Sequence, residues 1–270
     1  MSPKTNYLLI SMLFLAPVLF YSCSKSDDKT INIFSLSDDI AFGKGLQQEI
    51  EANPDTYPLL DSLEYSSAYA HVYRIRDSIL NSGKLIYGDR FEWSVRIIQD
   101  DSVLNAFAAP GGYIFIYTGI IKYLDNEAQF AGVLGHEMAH ADRRHSTDQL
   151  TKAYGITILL GIILGNNQNK LAEIAANLAA GVASLAFSRD AEYEADEYSV
   201  KYLYPTAYDA RGVGGFFEKM EGNSQPPEFL STHPNPGNRI DEIQAIWEEL
   251  GGEPGDSFEE SYMEFKSTIP

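Results

Sequence analysis

EAQFAGVLGHEMAHADRR, Glu127 to Arg144, is the stretch on which the fold turns. Phe130, Val133, Leu134, Met138 and Ala139 recur at a helical period, and Asp125 just upstream can cap the first turn. The spacing predicts a helix that is substantially buried. Inside it stands His136-Glu137-Met138-Ala139-His140, an H-E-x-x-H sequence. Four helical steps of about 100° bring the two imidazoles within about 40° of each other, one turn apart, where both reach one ion. Glu137, one step on, cannot face the ion in the same way but can reach a water there, which is where a general base belongs. A surface helix with incidental histidines is the bland alternative, and the apolar flank Phe130 to Leu134 argues against it.

A catalytic zinc takes three protein ligands, so a third donor is needed. Well downstream, Ser188-Arg189-Asp190-Ala191-Glu192-Tyr193-Glu194-Ala195-Asp196 falls at the start of another expected helix, Asp190 to Tyr204. Glu192 and Asp196 are four apart and share a face. One carboxylate can therefore bind metal while the other orients a ligand histidine through its free ring N–H. Glu194 points elsewhere. From spacing alone, the same acidic cluster also reads as a solvated helix face.

Upstream, apolar positions at helical spacing (Ile40, Leu46, Ile50, then Leu59, Leu63, Tyr69, Tyr73, Leu80) predict two helices between Ser37 and Asn81, parted by Asn53-Pro54. Three short strands follow over Trp93–Ile98, Ser102–Ala108 and Gly112–Tyr117. Pro110-Gly111-Gly112 supplies a turn and Thr118-Gly119 a break. Further helices are expected over Thr151–Gly165, Asn169–Phe187, Ala210–Met220 and Asn238–Leu250. Ile156 to Leu164 is the most hydrophobic part of the chain after the N-terminus. It is too short to cross a bilayer, so it is either core or a lip that touches the membrane surface.

The N-terminus reads as an export signal, with Lys4 followed by an apolar run from Leu8 to Tyr21 that Pro17 interrupts. That run falls short of the roughly 20 residues a membrane-crossing helix needs. The single cysteine, Cys23, follows it directly behind Ser22, a placement that resembles the lipobox of bacterial lipoproteins, although Phe20 and Tyr21 depart from its usual residues. Ordinary cleavage after Ser24 is the alternative. The expected organisation is a lipoprotein signal peptide over 1–22, a polar tether over 23–35 and a metallopeptidase domain over 36–270. A net charge of −18 opposes binding to nucleic acid or to anionic membrane faces. Asp27 and Asp28 behind Cys23 are similar to surface-sorting signals and equally to a solvated linker.

His136-Glu137-x-x-His140 with Glu192-x-x-Ala195-Asp196 resembles the zinc peptidases of the CAAX-prenyl-protease, HtpX and BepA family, peptidase family M48. Asn105-Ala106-Phe107, Pro110-Gly111-Gly112-Tyr113, Arg144-His145, Phe216-Phe217-Glu218-Lys219 and Ser231-Thr232-His233-Pro234 with Arg239 extend the resemblance over most of the chain. The resemblance implies one Zn2+ per chain held by His136, His140 and Glu192, with Asp196 orienting a ligand and Glu137 as the base. His233 is implied either to stabilise the transition state or to form a fourth metal contact that keeps a resting enzyme latent. Arg239 either stabilises the oxyanion or pairs with Asp196. Asn105, Ala106, Phe107 and Ala108 are implied to form an edge strand that pairs with the substrate backbone. His145 reads as a structural helix-end histidine, and His71 has no identifiable partner. Ser199 stands where the family commonly has glycine.

The fold expected is a mainly helical α+β, zincin-like domain with a small β-sheet beside the active-site helix. The function expected is zinc-dependent endoproteolysis of unfolded or misfolded cell-envelope proteins, by a chain lipid-anchored through Cys23 to the outer membrane, on its periplasmic or surface face. Two rivals are a chaperone-like binding protein that uses the same cleft with little turnover, and a structural protein stabilised by zinc.

Overall fold

Ser35 caps the first described helix: its hydroxyl accepts the Asp38 N–H while the Asp38 carboxylate accepts the Ser35 N–H, a reciprocal cap that starts helix α1 at Leu36–Glu51. The computed structural model describes residues 33–221, 228–234 and 237–270; the expected signal peptide, Cys23 and most of the expected tether lie outside the described residues. Asn53-Pro54 ends α1, and α2 follows at Ser66–Asn81. The second helix starts later than its periodicity suggests. Leu59 instead bridges to Ile98, Leu60 N–H bonds the Ile97 carbonyl, and Leu63 is 86% exposed.

Three strands, β1 (Ser94–Ile98), β2 (Ala106–Ala109) and β3 (Tyr113–Tyr117), form one sheet in the order β1-β3-β2, with β1 parallel and β2 antiparallel to β3. Alternation along the strands sends Val95, Ile97, Ala108, Ile114 and Ile116 into one apolar cluster and Phe107, Ala109, Phe115 and Tyr117 into another on the opposite face. Thr118-Gly119 does end β3, but the chain turns directly into a short helix, α3 (Thr118–Tyr123), which the sequence did not suggest.

Helix α4 spans Glu127–Asp142. Its cap is Asn126, whose side chain accepts the Gln129 N–H, rather than Asp125, which pairs with Lys219 at 2.5 Å. The region expected to hold two helices holds three: α5 (His145–Tyr154), α6 (Ile156–Ile163) and α7 (Gln168–Ala179). Arg144 and Gly155, both with positive φ (61° and 80°), mark the two chain reversals. Helix α8 (Arg189–Leu203) is capped by the Ser188 hydroxyl, and α9 (Gly212–Glu221), α10 (Glu228–Thr232), α11 (Arg239–Glu249) and α12 (Glu259–Ser267) complete the order. Neither α10 nor α12 was legible as a helix.

Helix α4 runs through the middle of the first cluster and packs against α2, α8, α9 and α12. Close approach explains two of its glycines. A Cβ on Gly132 would lie 2.1 Å from the Val213 backbone nitrogen, and one on Gly135 would lie 2.9 Å from Ser199 Oγ. Ser199 uses that proximity, donating its hydroxyl to the Gly132 carbonyl at 2.9 Å and fastening α8 to α4. The second cluster joins α1, α5, α6 and α7 to the far face of the sheet. Within Ile156–Leu164, Leu159 and Ile162 are core, while Leu164 is 73% exposed and Ile156 and Leu160 are part-exposed. No helix among the described residues is long and apolar enough to cross a membrane.

Candidate metal centre

Four elements converge on one buried point. Helix α4 presents His136, Glu137 and His140; α8 presents Glu192 and Asp196; His233 follows α10, and Arg239 is the first residue of α11. His136, His140, Glu192 and His233 each offer a ligand atom, and these atoms lie within 4.8 Å of one another. His136 Nε2 is 3.0 Å from His140 Nε2 and 3.3 Å from His233 Nδ1, which is itself 3.0 Å from Glu192 Oε1. The α4–α8 contact that Ser199 fastens therefore brings donors more than fifty residues apart in sequence to a common point.

The donor set suits zinc. Asp196 Oδ1 lies 2.9 Å from His136 Nδ1 and, as a carboxylate, can only accept; His136 thus carries its proton on Nδ1 and turns a lone pair inward from Nε2. Imidazole nitrogens and the Glu192 carboxylate converge there at hydrogen-bond distance, and a divalent cation can take the place of the protons they would otherwise share. Zinc is the cofactor that fits this site.

The metal-free charges follow from burial and from these contacts. Burial pulls His136 down, but hydrogen bonds to Asp196 and Glu192 outweigh it and push the group up to about 9. Burial holds His140 well below the ordinary histidine value. Glu192 stays well below the usual carboxylate range, because His233, His136 and His140 outweigh its burial. Burial raises Glu137, and neither of its oxygens has a hydrogen-bond partner among the described residues; the closest group is His233 Nε2, 3.5 Å from Oε1.

Arg239 pairs with both buried carboxylates of α8. Its guanidinium grips Asp196 with two N–H groups at 2.5 Å each, reaches Glu192 Oε2 at 2.8 Å and lies 3.9 Å over the Phe217 ring. Phe187 stacks on His140 and Phe229 on His233, with centroids 3.8 and 4.2 Å apart.

Asn105 to Ala108 lie beside this centre in the fold, since α4 packs directly on β2, an edge strand. Their outer edge is partly taken: the Ser146 hydroxyl donates to the Ala108 carbonyl at 2.7 Å. Both polar atoms of the Asn105 side chain are buried without a hydrogen-bond partner among the described residues.

Two sets of residues escaped the sequence. Glu194, which does point away from the ligand point, holds His145 and Arg143; its carboxyl is kept low by the His145 hydrogen bond, against the effect of burial. His71 does have a partner: it binds buried Glu127 at 2.6 Å and stacks on Phe265, with Arg74 and Ser261 on the same carboxylate. Only the isolated polarity of Glu127 at the head of an apolar helix could have flagged this cluster.

The family model described as Peptidase family M48 matches residues 74–247, a span that contains every residue of the centre. The chain is 32% identical over 145 residues to the mitochondrial metalloendopeptidase OMA1 of Arabidopsis thaliana, covering 53% of this chain and 29% of that protein. It is 31% identical over 157 residues to the beta-barrel assembly-enhancing protease of Escherichia coli (strain K12), covering 53% and 32%. To the mitochondrial metalloendopeptidase OMA1 of Homo sapiens it is 26% identical over 206 residues, covering 68% and 38%. The chain thus spans well under half the length of these relatives.

Proposed function

Because the chain belongs to peptidase family M48, whose members are zinc metallopeptidases, we propose that it is a zinc-dependent endopeptidase that hydrolyses unfolded or misfolded proteins of the bacterial cell envelope. The observation that carries the reading is the buried meeting of His136, His140 and Glu192, with Glu137 beside them and without a hydrogen-bond partner among the described residues. Bound there, zinc supplies Lewis acidity, which polarises the scissile carbonyl and makes water a competent nucleophile at neutral pH.

The chain's own groups do the rest. Asp196 holds His136 in the tautomer that presents Nε2, and Arg239 holds Asp196. Glu137 takes a proton from the attacking water and returns it to the leaving nitrogen; its burial, by raising its pKa, brings it nearer to the neutral range where such a shuttle works. The substrate backbone runs along β2, and the partnerless amide of Asn105 supplies a donor and an acceptor for it.

His233 is best read as a latch. Were all four residues to hold the metal, His233 would compete with water for the position that hydrolysis needs. Of the four, His233 alone is carried by neither α4 nor α8, so the contact between those two helices does not fix its position. A centre closed in this way favours low basal turnover, which is also what the chaperone-like alternative expects. The lipid anchor at Cys23 and the outer-membrane location rest on the N-terminal sequence; Cys23→Ser should move the chain from the membrane fraction to the soluble one.

Purified Glu137→Gln against an unfolded protein substrate separates peptidase from holdase. Loss of cleavage with zinc content and folding intact is expected. Cleavage at the unsubstituted rate would remove the peptidase reading, and His233→Ala should raise turnover if the latch assignment holds.

A further inference from the structure

We propose that Glu194 and His145 form a hydrogen-bond relay that fixes the tautomer of His140, doing indirectly for this ligand what Asp196 does directly for His136. The inference rests on His140 being a zinc ligand.

The geometry gives each bond its direction. Both oxygens of Glu194 are committed: Oε1 accepts from Arg143 at 2.8 Å through Nε and lies 2.7 Å from Nη2, and Oε2 lies 3.0 Å from His145 Nε2. A carboxylate so paired only accepts, so His145 Nε2 is the donor. With His140 Nε2 facing the ligand point, its ring proton lies on Nδ1, and the pair of bonds is completed by a lone pair on His145 Nδ1. That atom is 3.2 Å from His140 Nδ1, which donates to it. His140 is left with an unprotonated Nε2, the atom that meets His136, Glu192 and His233 at the ligand point.

The fold explains why an intermediate is needed. Asp196 is already divided between His136 and Arg239, and His140 sits one helical turn away with its Nδ1 on the opposite side of its ring from the metal. Arg144, in a left-handed conformation, reverses the chain immediately after α4 and returns His145 beneath the end of that helix. His145 is buried there between His140 and α8, so it can pass the orientation of Glu194 inward. An outer hydrogen-bond partner of this kind is generally worth 10- to 100-fold in metal affinity.

The test is a Zn2+ competition titration against a chromophoric chelator on the purified chain, with variants His145→Phe, His145→Asn and His140→Ala. His145→Phe keeps the ring volume and removes the acceptor; it should weaken zinc binding by about tenfold or more with the metal-free melting temperature retained. His145→Asn, whose side-chain oxygen can stand near the position of Nδ1, should recover most of the loss, a rescue that a purely structural role does not foresee. Imidazole 15N–1H correlation spectra of the unsubstituted, zinc-loaded chain should show His145 protonated at Nε2 alone and His140 at Nδ1. Unchanged affinity in His145→Phe while His140→Ala binds poorly overturns the relay and leaves the ligand assignment standing. Unchanged affinity in His140→Ala overturns both. A His145 protonated at Nδ1 overturns the relay even if His145→Phe fails to fold.

Discussion

The two faces of the sheet carry halves of the molecule built on opposite rules. On one face, α4, α8 and α11 bury His136, Glu137, His140, Asp142, Glu192, Asp196 and Arg239, every one nearly inaccessible to solvent. On the other, α1, α6 and α7 bury Leu46, Ile50, Leu159, Ile174 and Leu178. Buried charge survives only when paired, so the first half is specified by directional contacts and tolerates few alternatives. Apolar contact is non-directional, so the second half needs only suitable volume. Function should accordingly respond to substitution on the first face, whereas substitution on the second should change stability and leave the site intact.

The sharpest way to break this contrast is Glu137→Gln, which should cut peptide hydrolysis about a thousandfold while leaving the melting temperature near that of the parent. A collapse in stability there would show that the charged half is also the scaffold. Leu46→Ala, wholly buried on the other face, should cost about 3 kcal/mol in a denaturant titration and leave zinc affinity untouched. Smaller, at about 2 kcal/mol, is Glu127→Gln at the head of α4, whose effect should depend on pH. Burial alone would raise the Glu127 carboxyl, but His71, Arg74, Ser261 and Tyr208 together hold it well below the usual carboxylate range. A depressed folded-state pKa stabilises above the unfolded value of about 4.5, and that stabilisation is lost as pH falls through the folded value. Parent and variant melts should therefore differ at pH 7 and converge in acid; a gap that widens on acidification contradicts the assignment. Smallest of all is Leu160→Ser on the part-exposed face of α6, which should shift stability by under about 0.5 kcal/mol.

Periodicity made the long elements legible. α1, α4, α8 and all three strands follow from spacing of apolar residues, and the H-E-x-x-H geometry follows from helical pitch alone. What spacing cannot show is where a chain turns back. One helix was expected over Thr151–Gly165 because Thr151 to Ile163 keeps an apolar rhythm; the positive φ of Gly155 divides it. Leu59 and Leu63 fit a helical rhythm as well, yet the former is claimed by the sheet edge at Ile98. Asp125 and Asn126 are both good caps, and only the competing pull of Lys219 on Asp125 separates them. In the centre, His136 and His140 were readable from i, i+4 geometry, as was the shared face of Glu192 and Asp196; which carboxylate binds metal came only with the family resemblance. The contact from His145 to His140 was not, because five residues along a continuous helix point away from each other. It exists through the left-handed turn at Arg144, which no periodicity encodes. Arg239 was readable only as two alternatives, since its partner depends on how α11 docks against α8.

The hydroxyl of Ser199 on the Gly132 carbonyl, with Gly135 beneath it, sets how far apart two rigid rods stand, and each rod bears part of one coordination sphere. A ligand sphere tolerates errors of only a few tenths of an ångström, whereas one added methyl group at Gly135 would stand 2.9 Å from Ser199 Oγ and press the two rods apart. The affinity of the chain for its ion is thus governed at a distance by the absence of atoms: widening the gap between these rods should loosen the ion's grip before it unfolds anything.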